Sequence, residues 1–293
     1  MRARLPNTVG LGWRPETAWL IHCERERLGF TEVVAESVCL AAPLAAPLRQ
    51  LIDAGVAVVP HGVSLSLGSA EGVEPARLDR LARVAEALDA PLVSEHIAFV
   101  RGAGVETDHL LPVPRTRAML DILVDNVRQA MAALPVPLAL ENIAKLFEWP
   151  DDEASEISEA AFVSELLART GAQLLLDLSN LYANARNFGW DALAFLDQLP
   201  LDRVAYVHLA GGVNRDGVYR DTHAHPVGEG SLTLLAALLE RVPAVPVLLE
   251  RDDRFASRAA LVAELDQIRA VVDGSRQSAG ERELRCAGWA DVA

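Results

Sequence analysis

The sequence is poor in the residues that mark a disulfide scaffold or a nucleic-acid-binding surface. Its 293 residues include only three cysteines, Cys23, Cys39 and Cys286, which lie far apart. An odd number at that spacing disfavours a disulfide framework or a thiolate zinc site and is typical of a reducing compartment. Lysine occurs once, at Lys145, and 27 basic residues stand against 41 acidic ones, for a net charge of −14. Because proteins that bind a phosphate backbone usually carry a basic face, we expect no nucleic-acid partner.

Long apolar runs are also missing. The longest, such as PLAAPL and GVAVVP, fall well short of the ~20 residues that a membrane-spanning helix needs. The stretch MRARLPNTVGLGW lacks the apolar core of a signal peptide. With 51% hydrophobic and 23% charged residues, the composition is typical of a globular protein. We therefore expect a cytoplasmic protein with no membrane contact.

Short apolar runs alternate with amphipathic stretches along the chain. The runs suit strands that are covered on both faces, and they lie at 9–13, 30–37, 56–63, 91–99, 136–143, 172–180, 204–211 and 245–252. The helical stretches lie near 15–28, 43–54, 75–89, 115–133, 158–169, 190–199, 231–241 and 257–272. This alternation predicts an α/β fold, a single (β/α)8 TIM barrel. An open doubly wound sheet is the alternative, although no G-x-G-x-x-G motif follows the first strand.

The pattern divides the chain into two segments. Residues 1–273 carry the alternation and are predicted to form one barrel domain. Residues 274–293 are polar and have no core pattern, so we predict a mobile, disordered tail there.

Polar residues cluster at the ends of the predicted strands. In a TIM barrel the carboxyl ends of all eight strands meet at one mouth, where active sites lie. Burying an imidazole or carboxylate there is costly unless the group is paired or bound to a metal. The residues at these ends are Glu36, His61, Glu95, His96, Glu141, Asn142, Asp177, Asn180, His208, Glu250 and Asp252.

This set of side chains predicts a metal centre. Asp, Glu and His are the ligands of iron, manganese and zinc, and the set is too large for one ion, so two or three metals with bridging carboxylates are expected. Taken singly, His61 could be an ordinary hydrogen-bonded core histidine, and Asp177 could instead cap the following helix.

The stretch RDTHAHPVGEGS adds two more candidate ligands. Asp221 and His223 are two residues apart, so in an extended loop their side chains would point the same way and hold one ion. His225 continues the alternation but precedes Pro226. We predict that His225 supports a ligand or contacts substrate rather than binding metal.

Eight short motifs occur in order along the sequence: HGVSLSLG, SEHI, LLPVPRT, LENI, LLLDLSNLY, YVHLAGG, DTHAHPV and LLERD. Together they resemble the multinuclear non-heme iron-dependent oxidative enzymes, the family that includes MbnB and TglH-like proteins, within the xylose-isomerase-like TIM barrels. The resemblance spans about residues 5 to 273. It implies a metal-dependent oxidoreductase that holds two or three iron ions, as Fe2+ and Fe3+, and uses dioxygen. It also implies a ribosomally made precursor peptide as substrate, modified at Cys or at Asp or Asn, and a small partner protein that delivers it. Zinc or manganese in the purified protein is compatible with the same ligands.

The motif layout is also similar to that of the trinuclear zinc endonucleases for abasic DNA. That resemblance implies a first metal on His61, His96 and Glu141. It implies a second on Glu141, Asp177, His208 and Glu250, and a third on Asn180, Asp221 and His223. Glu36, Asn142, His225 and Asp252 would then support these ligands or contact substrate. Ser37 and Glu95 depart from the pattern of the iron-dependent family, which commonly has Asn and Asp at these positions. These two departures leave the particular reaction open.

Two other functions fit the same residues. One is a divalent-metal-dependent isomerase or hydrolase on this barrel, and the other is a binding module without catalysis. The net charge of −14 disfavours DNA as a substrate, and an intact set of convergent ligands disfavours the binding module.

Overall fold

Eight parallel strands close into a barrel in this computed structural model, which describes residues 5–145, 147–149 and 157–290, with the backbone alone for 277–290. The barrel strands are β1 (Val9–Trp13), β2 (Phe30–Val34), β3 (Ala57–His61), β4 (Val93–His96), β7 (Leu138–Glu141), β8 (Gln173–Asp177), β9 (Val204–Leu209) and β12 (Val247–Leu249). They are hydrogen-bonded in the order β1, β12, β9, β8, β7, β4, β3, β2. The predicted (β/α)8 barrel is confirmed, and the open sheet is excluded.

Nine helices are found among the described residues. They are α1 (Pro15–Glu24), α2 (Ala46–Asp53), α3 (Pro75–Ala87), α4 (Arg117–Ala133), α5 (Glu159–Thr170), α6 (Leu178–Phe188), α7 (Ala192–Leu196), α8 (Glu229–Arg241) and α9 (Arg258–Ala290). None is long and apolar enough to cross a membrane. Eight correspond to predicted helices, and α6 is additional because β8 ends at Asp177 rather than at Asn180.

Two antiparallel hairpins leave the carboxyl ends of barrel strands. One joins β5 (Ala98–Gly102) to β6 (Val105–Pro112) after β4, and the other joins β10 (Gly212–Arg215) to β11 (Val218–Asp221) after β9. Each turns on two residues of positive φ, Ala103–Gly104 and Asp216–Gly217, the backbone that a two-residue hairpin requires. Neither hairpin was predicted: the start of β5 was included in the predicted strand 91–99, and β6, β10 and β11 are mostly exposed and carry no continuous apolar run.

Side chains inside the barrel change from a lower to a more polar layer within two residues along seven of the eight strands. The lower layer is Phe30, Val59, Leu92, Ala139, Leu175, Tyr206 and Leu248. Two positions further along each strand lie Glu32, His61, Ser94, Glu141, Asp177, His208 and Glu250, all buried. Because side chains on a strand alternate between its faces, these seven residues point into the barrel above the apolar layer. We call them the polar layer.

A larger apolar core fills the space between the barrel and the helices. On α3, Leu78, Leu81 and Val84 are buried with the spacing predicted for the inward face of a helix. At the chain end, Val272 is the last core residue described. Helix α9 continues beyond it through Ala290, across most of the segment predicted as a polar tail, which is rich in residues of good helix propensity.

Candidate metal centre

The strand register brings the predicted ligands together at the barrel mouth. His96 on β4 is the cross-strand partner of Glu141 on β7, and Asp177 on β8 is the partner of His208 on β9. His61 ends β3, and Glu250 directly follows β12. All six residues are buried. A parallel barrel therefore lines up side chains that lie far apart in the sequence.

The first group of side chains that could hold a metal ion is His61, His96 and Glu141. Glu141 Oε2 lies 3.5 Å from His61 Nε2 and 3.3 Å from His96 Nε2. The two imidazole rings are 4.6 Å apart between centroids. These are the residues predicted to bind the first metal.

The second group is Glu141, Asp177 and His208. His208 Nδ1 lies 3.5 Å from Glu141 Oε1, 3.9 Å from Asp177 Oδ2 and 3.2 Å from Glu250 Oε2. The four residues predicted for the second metal are thus adjacent. The two oxygens of Glu141 face different groups, as a bridging carboxylate requires.

Two further groups are found among the described residues: Glu32, His61 and Glu250, which was not predicted, and Asp177, His223 and Glu250, which differs from the set predicted for the third metal. His223 Nδ1 lies 3.3 Å from Glu250 Oε2, and His223 Nε2 lies 3.5 Å from Asp221 Oδ2. The loop is not extended as expected, because His223 has φ of 50°, a left-handed backbone that is uncommon for residues other than glycine. Asp221 and His223 nevertheless approach each other, since this turn brings the imidazole back over the end of β11.

Asp177 is the last residue of β8 and also the N-cap of α6, whereas Asn180 lies within α6. Asp177 Oδ1 accepts hydrogen bonds from the backbone N–H groups of Ser179 and Asn180, so this carboxylate caps α6. Its Oδ2 remains directed at His208, and the cap and the metal-ligand interpretations are compatible. Asn180 lies in the first turn of α6, with Nδ2 3.0 Å from the Asn142 carbonyl and 3.5 Å from Glu141 Oε1.

Several of the converging atoms are buried and have no hydrogen-bond partner among the described residues. They are Glu141 Oε2, Asp177 Oδ2, His208 Nδ1, Asp221 Oδ1, Asp221 Oδ2 and Glu250 Oε2. A buried polar atom without a partner is unfavourable, and six of them aimed at one space would be stabilised by cations. The donors are oxygen and nitrogen atoms without thiolate, a set that fits iron, manganese or zinc.

The charges of the centre are strongly coupled. Burial alone would lower the pKa of His96, but the carboxylates of Glu141 and Glu95 outweigh it and raise that pKa to about 9. Burial would raise the pKa of Glu141, but the imidazoles of His96 and His208 lower it to about 2. Burial, together with the nearby carboxylates of Asp221 and Glu141, raises the pKa of Asp177 well above its usual value. Without metal, protons therefore occupy part of the space between these ligands.

The four residues predicted to support ligands or contact substrate have distinct surroundings. Asn142 exchanges two hydrogen bonds with the backbone of Asp177, at 2.8 and 2.9 Å, and so fixes that ligand between β7 and β8. Asp252 Oδ2 accepts a hydrogen bond from His223 Nδ1 at 3.0 Å. His225 lies between Thr222 Oγ1 at 2.8 Å and Arg254 at 3.4 Å, and it belongs to none of the four candidate metal groups.

Glu36 does not stand in the second barrel strand as predicted. Strand β2 ends at Val34, and Glu36 lies in the short 3-10 turn Ala35–Ser37 that follows it. Its carboxylate accepts hydrogen bonds from Val63 N–H and the Ser64 hydroxyl, and so holds the loop after β3. Glu95 is similar, because it accepts from the N–H groups of His96 and Leu65 and is buried.

Two residues of the centre were missed from the sequence. Glu32 belongs to the polar layer, where its Oε2 lies 3.0 Å from His208 Nε2. Glu32 lies two residues after Phe30, a spacing that places both side chains on the same face of a strand. The predicted strand extended to residue 37, so its last acidic residue was Glu36 rather than Glu32. Arg14, which follows β1, donates to Asp252 Oδ1 at 2.5 Å, and no local pattern distinguishes it from a surface arginine.

Comparison with known proteins identifies the family. A family model described as RiPP precursor modification enzyme MbnB/TglH/ChrH matches residues 8–273. The chain belongs to this family. RiPP denotes a ribosomally synthesised and post-translationally modified peptide, so the MbnB/TglH/ChrH family consists of enzymes that act on precursor peptides. Membership confirms the resemblance found in the sequence.

Relatives of this MbnB/TglH/ChrH member are found among curated proteins. A UPF0276 protein of Streptomyces avermitilis is 49% identical over 272 residues, which cover 90% of this chain and 55% of that protein. The chain thus spans about half of that relative. A UPF0276 protein of Caulobacter vibrioides is 35% identical over 274 residues, which cover 93% of this chain and 95% of that protein.

Solved structures share the fold of the chain. Endonuclease IV from Thermus thermophilus matches with a TM-score of 0.58 and 22% identity, covering 91% of this chain and 99% of that one. At this identity the match shows the barrel architecture alone.

Proposed function

We propose that residues 1–273 form an iron-dependent oxidase domain that uses dioxygen to modify a ribosomally synthesised precursor peptide. Cysteine is the expected target residue, with Asp or Asn as the alternatives. The convergence of six buried, unpartnered ligand atoms at the barrel mouth carries this proposal, together with membership of a family of precursor-peptide-modifying enzymes.

The proposed ligands divide into three sets. His61, His96 and Glu141 would hold one ion, and Glu141, Asp177, His208 and Glu250 a second. The third would be held by His223 with Asp221 and Asn180, and the proximity of Asp177 and Glu250 to His223 adds those two carboxylates as candidates. Bound iron, as Fe2+ and Fe3+, would supply the redox chemistry that amino-acid side chains lack.

The protein itself would orient the bound peptide and exclude water from the centre. The apolar layer below the centre, from Phe30 to Leu248, closes the barrel beneath the ligands. A peptide therefore has access only from the carboxyl ends of the strands, where the β5–β6 and β10–β11 hairpins emerge. At this mouth His225 and Asp252 are partly exposed, and we propose that they contact the peptide.

The proposed partners are the precursor peptide and a small protein that delivers it. The net charge of −14 disfavours nucleic acid and favours a peptide that is not strongly acidic. The precursor peptide and the delivering protein would be encoded close to this chain's own gene, which is where a candidate peptide should be sought.

The proposal is tested by anaerobic purification followed by metal analysis and by oxygen uptake with the candidate peptide. We expect two or three iron ions per chain, oxygen consumption that depends on the peptide, and a mass change on one peptide residue. The same protein loaded with zinc is the matched control and should leave the peptide unchanged.

A different outcome would favour the alternative on this barrel. If the iron-loaded protein consumes no oxygen with any peptide, yet the zinc-, magnesium- or manganese-loaded protein isomerises a sugar or cleaves abasic DNA, the chain is a divalent-metal-dependent isomerase or hydrolase. The oxidase proposal would then be wrong.

A further inference from the structure

A buried hydrogen-bonded chain runs beneath the centre and connects two histidines of different metal groups. His61 Nδ1 lies 2.8 Å from Ser94 Oγ, and Ser94 Oγ lies 2.7 Å from Tyr206 Oη. Tyr206 Oη lies 2.5 Å from Glu32 Oε2, and the same oxygen lies 3.0 Å from His208 Nε2. All five residues are buried, and an unfavourable arrangement of protons among buried groups is costly.

The direction of every hydrogen bond in this chain follows from its one carboxylate. Glu32 Oε2 accepts from Tyr206 Oη–H, and the same acceptor oxygen faces His208 Nε2, which therefore donates to it. Tyr206 has a single proton, which is thereby used. Ser94 must then donate its own proton to Tyr206 Oη, since otherwise two oxygens would face each other at 2.7 Å without hydrogen.

The same logic fixes the proton on His61. Ser94 has used its only proton on Tyr206, so it can only accept from His61, and His61 must carry its proton on Nδ1. When the two imidazoles are neutral, as metal binding requires, the nitrogens left with a free lone pair are His61 Nε2 and His208 Nδ1. These two atoms are the ones that face Glu141.

We propose that Glu32, Tyr206 and Ser94 are positioning residues that fix the tautomers of His61 and His208, and so determine which nitrogen each histidine offers to a metal. Glu32 Oε2 receives two donors, and in this proposal that oxygen acts as a hydrogen-bond acceptor. Glu32 also forms a candidate metal group with His61 and Glu250, and the variants below distinguish the two roles. The inference rests on the proposed function only in requiring that the centre binds metal.

The surroundings of His96 follow the same principle with a different acceptor. His96 Nδ1 lies 3.2 Å from the carbonyl oxygen of Gly62, which can only accept. His96 therefore keeps a proton on Nδ1 and offers Nε2, which faces Glu141 at 3.3 Å. His208 differs from His61 and His96 in offering Nδ1, and Glu32 is the reason. Partners that orient metal-binding histidines in this way are a general feature of metal centres.

The tautomers can be read directly by NMR of ¹⁵N-histidine-labelled protein loaded with zinc, a diamagnetic probe, with signals assigned from single His→Gln variants. In the unsubstituted protein we expect a proton on Nδ1 of His61 and on Nε2 of His208. The opposite tautomer at either residue would overturn the proposal, whether or not any variant folds. A protein that binds no zinc and no iron would overturn both this inference and the proposed function.

Three variants distinguish the His61 end of the hydrogen-bonded chain from its His208 end. Tyr206→Phe removes the hydrogen bond to Ser94, so His61 should be able to adopt either tautomer. His208 should still donate to Glu32. Glu32→Met removes the shared acceptor and should release both, with zinc affinity of both sites lowered roughly 10–100-fold. Glu32→Gln keeps an acceptor oxygen and should retain both tautomers. Tyr182→Phe is the matched control, because Tyr182 Oη contacts Arg186 at 3.3 Å and should change neither signal.

Two results would contradict the assigned roles. If Glu32→Gln loses a metal equivalent that Tyr206→Phe keeps, then Glu32 is itself a ligand. If Tyr206→Phe disturbs His208 as much as His61, then the hydroxyl only stabilises the fold. Neither result would bear on whether the iron-loaded protein oxidises a peptide.

Discussion

Glu141 and His96 are cross-strand partners on adjacent parallel strands, and their side chains meet with Glu141 Oε2 3.3 Å from His96 Nε2. The other oxygen of Glu141 lies 3.5 Å from His208 Nδ1. One carboxylate thus faces two groups of candidate ligands.

Replacing this carboxylate tests the shared role. Glu141→Gln keeps the size of the side chain but removes the charge and one acceptor oxygen, so we expect loss of at least one metal equivalent and of peptide oxidation. Metal analysis after anaerobic loading measures the loss. Glu165→Gln, which changes a surface carboxylate paired with Arg117, is the control and should load fully. A Glu141→Gln protein that binds its full complement of metal would show that Glu141 is not a ligand.

Metal binding should release protons and strengthen as pH rises. The carboxylates around His96 raise its pKa to about 9, so at neutral pH the metal-free imidazole is protonated and a metal must displace that proton. Below pH 9 the affinity at this site should fall about tenfold per pH unit. Calorimetric titration in buffers of different ionisation enthalpy counts the protons released. Affinity that is constant between pH 6.5 and 8.5 would contradict the protonated resting state.

His223 and His225 should differ in what their loss removes. His223 contacts Asp221, Glu250 and Asp252, so His223→Gln should lower the metal content by one equivalent. His225 lies on Thr222 and Arg254 instead, so His225→Gln should keep the metal content and lower peptide turnover. Metal analysis and turnover are measured on both variants. Equal loss of metal in the two would assign His225 to the ligands.

Gly211 allows two parts of the mouth to approach closely. A Cβ atom at this position would lie 2.0 Å from the His225 carbonyl oxygen and 2.2 Å from that of Pro226. Gly211→Ala should therefore displace the loop that carries Asp221 and His223 and weaken metal binding there, while the ligands on the barrel strands stay in place. Metal stoichiometry together with thermal unfolding measures this effect.

The control for that substitution is Gly102→Ala, because a Cβ at Gly102 would meet nothing within 4 Å. It should leave metal content and unfolding temperature unchanged. If Gly211→Ala behaves in the same way, the loop accommodates the methyl group, and its close packing has no part in forming the centre.

The sequence could predict much of this molecule because strand patterns are local. The alternation of apolar runs and amphipathic stretches gave the barrel, and nine residues predicted as ligands all lie at its mouth. Glu36 shows what a local sequence pattern does not determine. A strand's end cannot be located to two residues from composition, so Glu36 was selected and the buried Glu32 was missed. Helix α6 was missed for the same reason, since Asp177 ends a strand and caps a helix at once.

The amino-acid sequence by itself determined the barrel, the family and the chemical types of the candidate ligands, because the period of apolar residues and the short motifs are properties of neighbouring positions. Tertiary structure alone decided which side chains meet, since cross-strand register and loop turns join residues such as Glu32 and His208, which are 176 positions apart. It also decided which nitrogen each histidine presents, because a tautomer depends on the hydrogen-bond partner that packing brings to the opposite side of the ring.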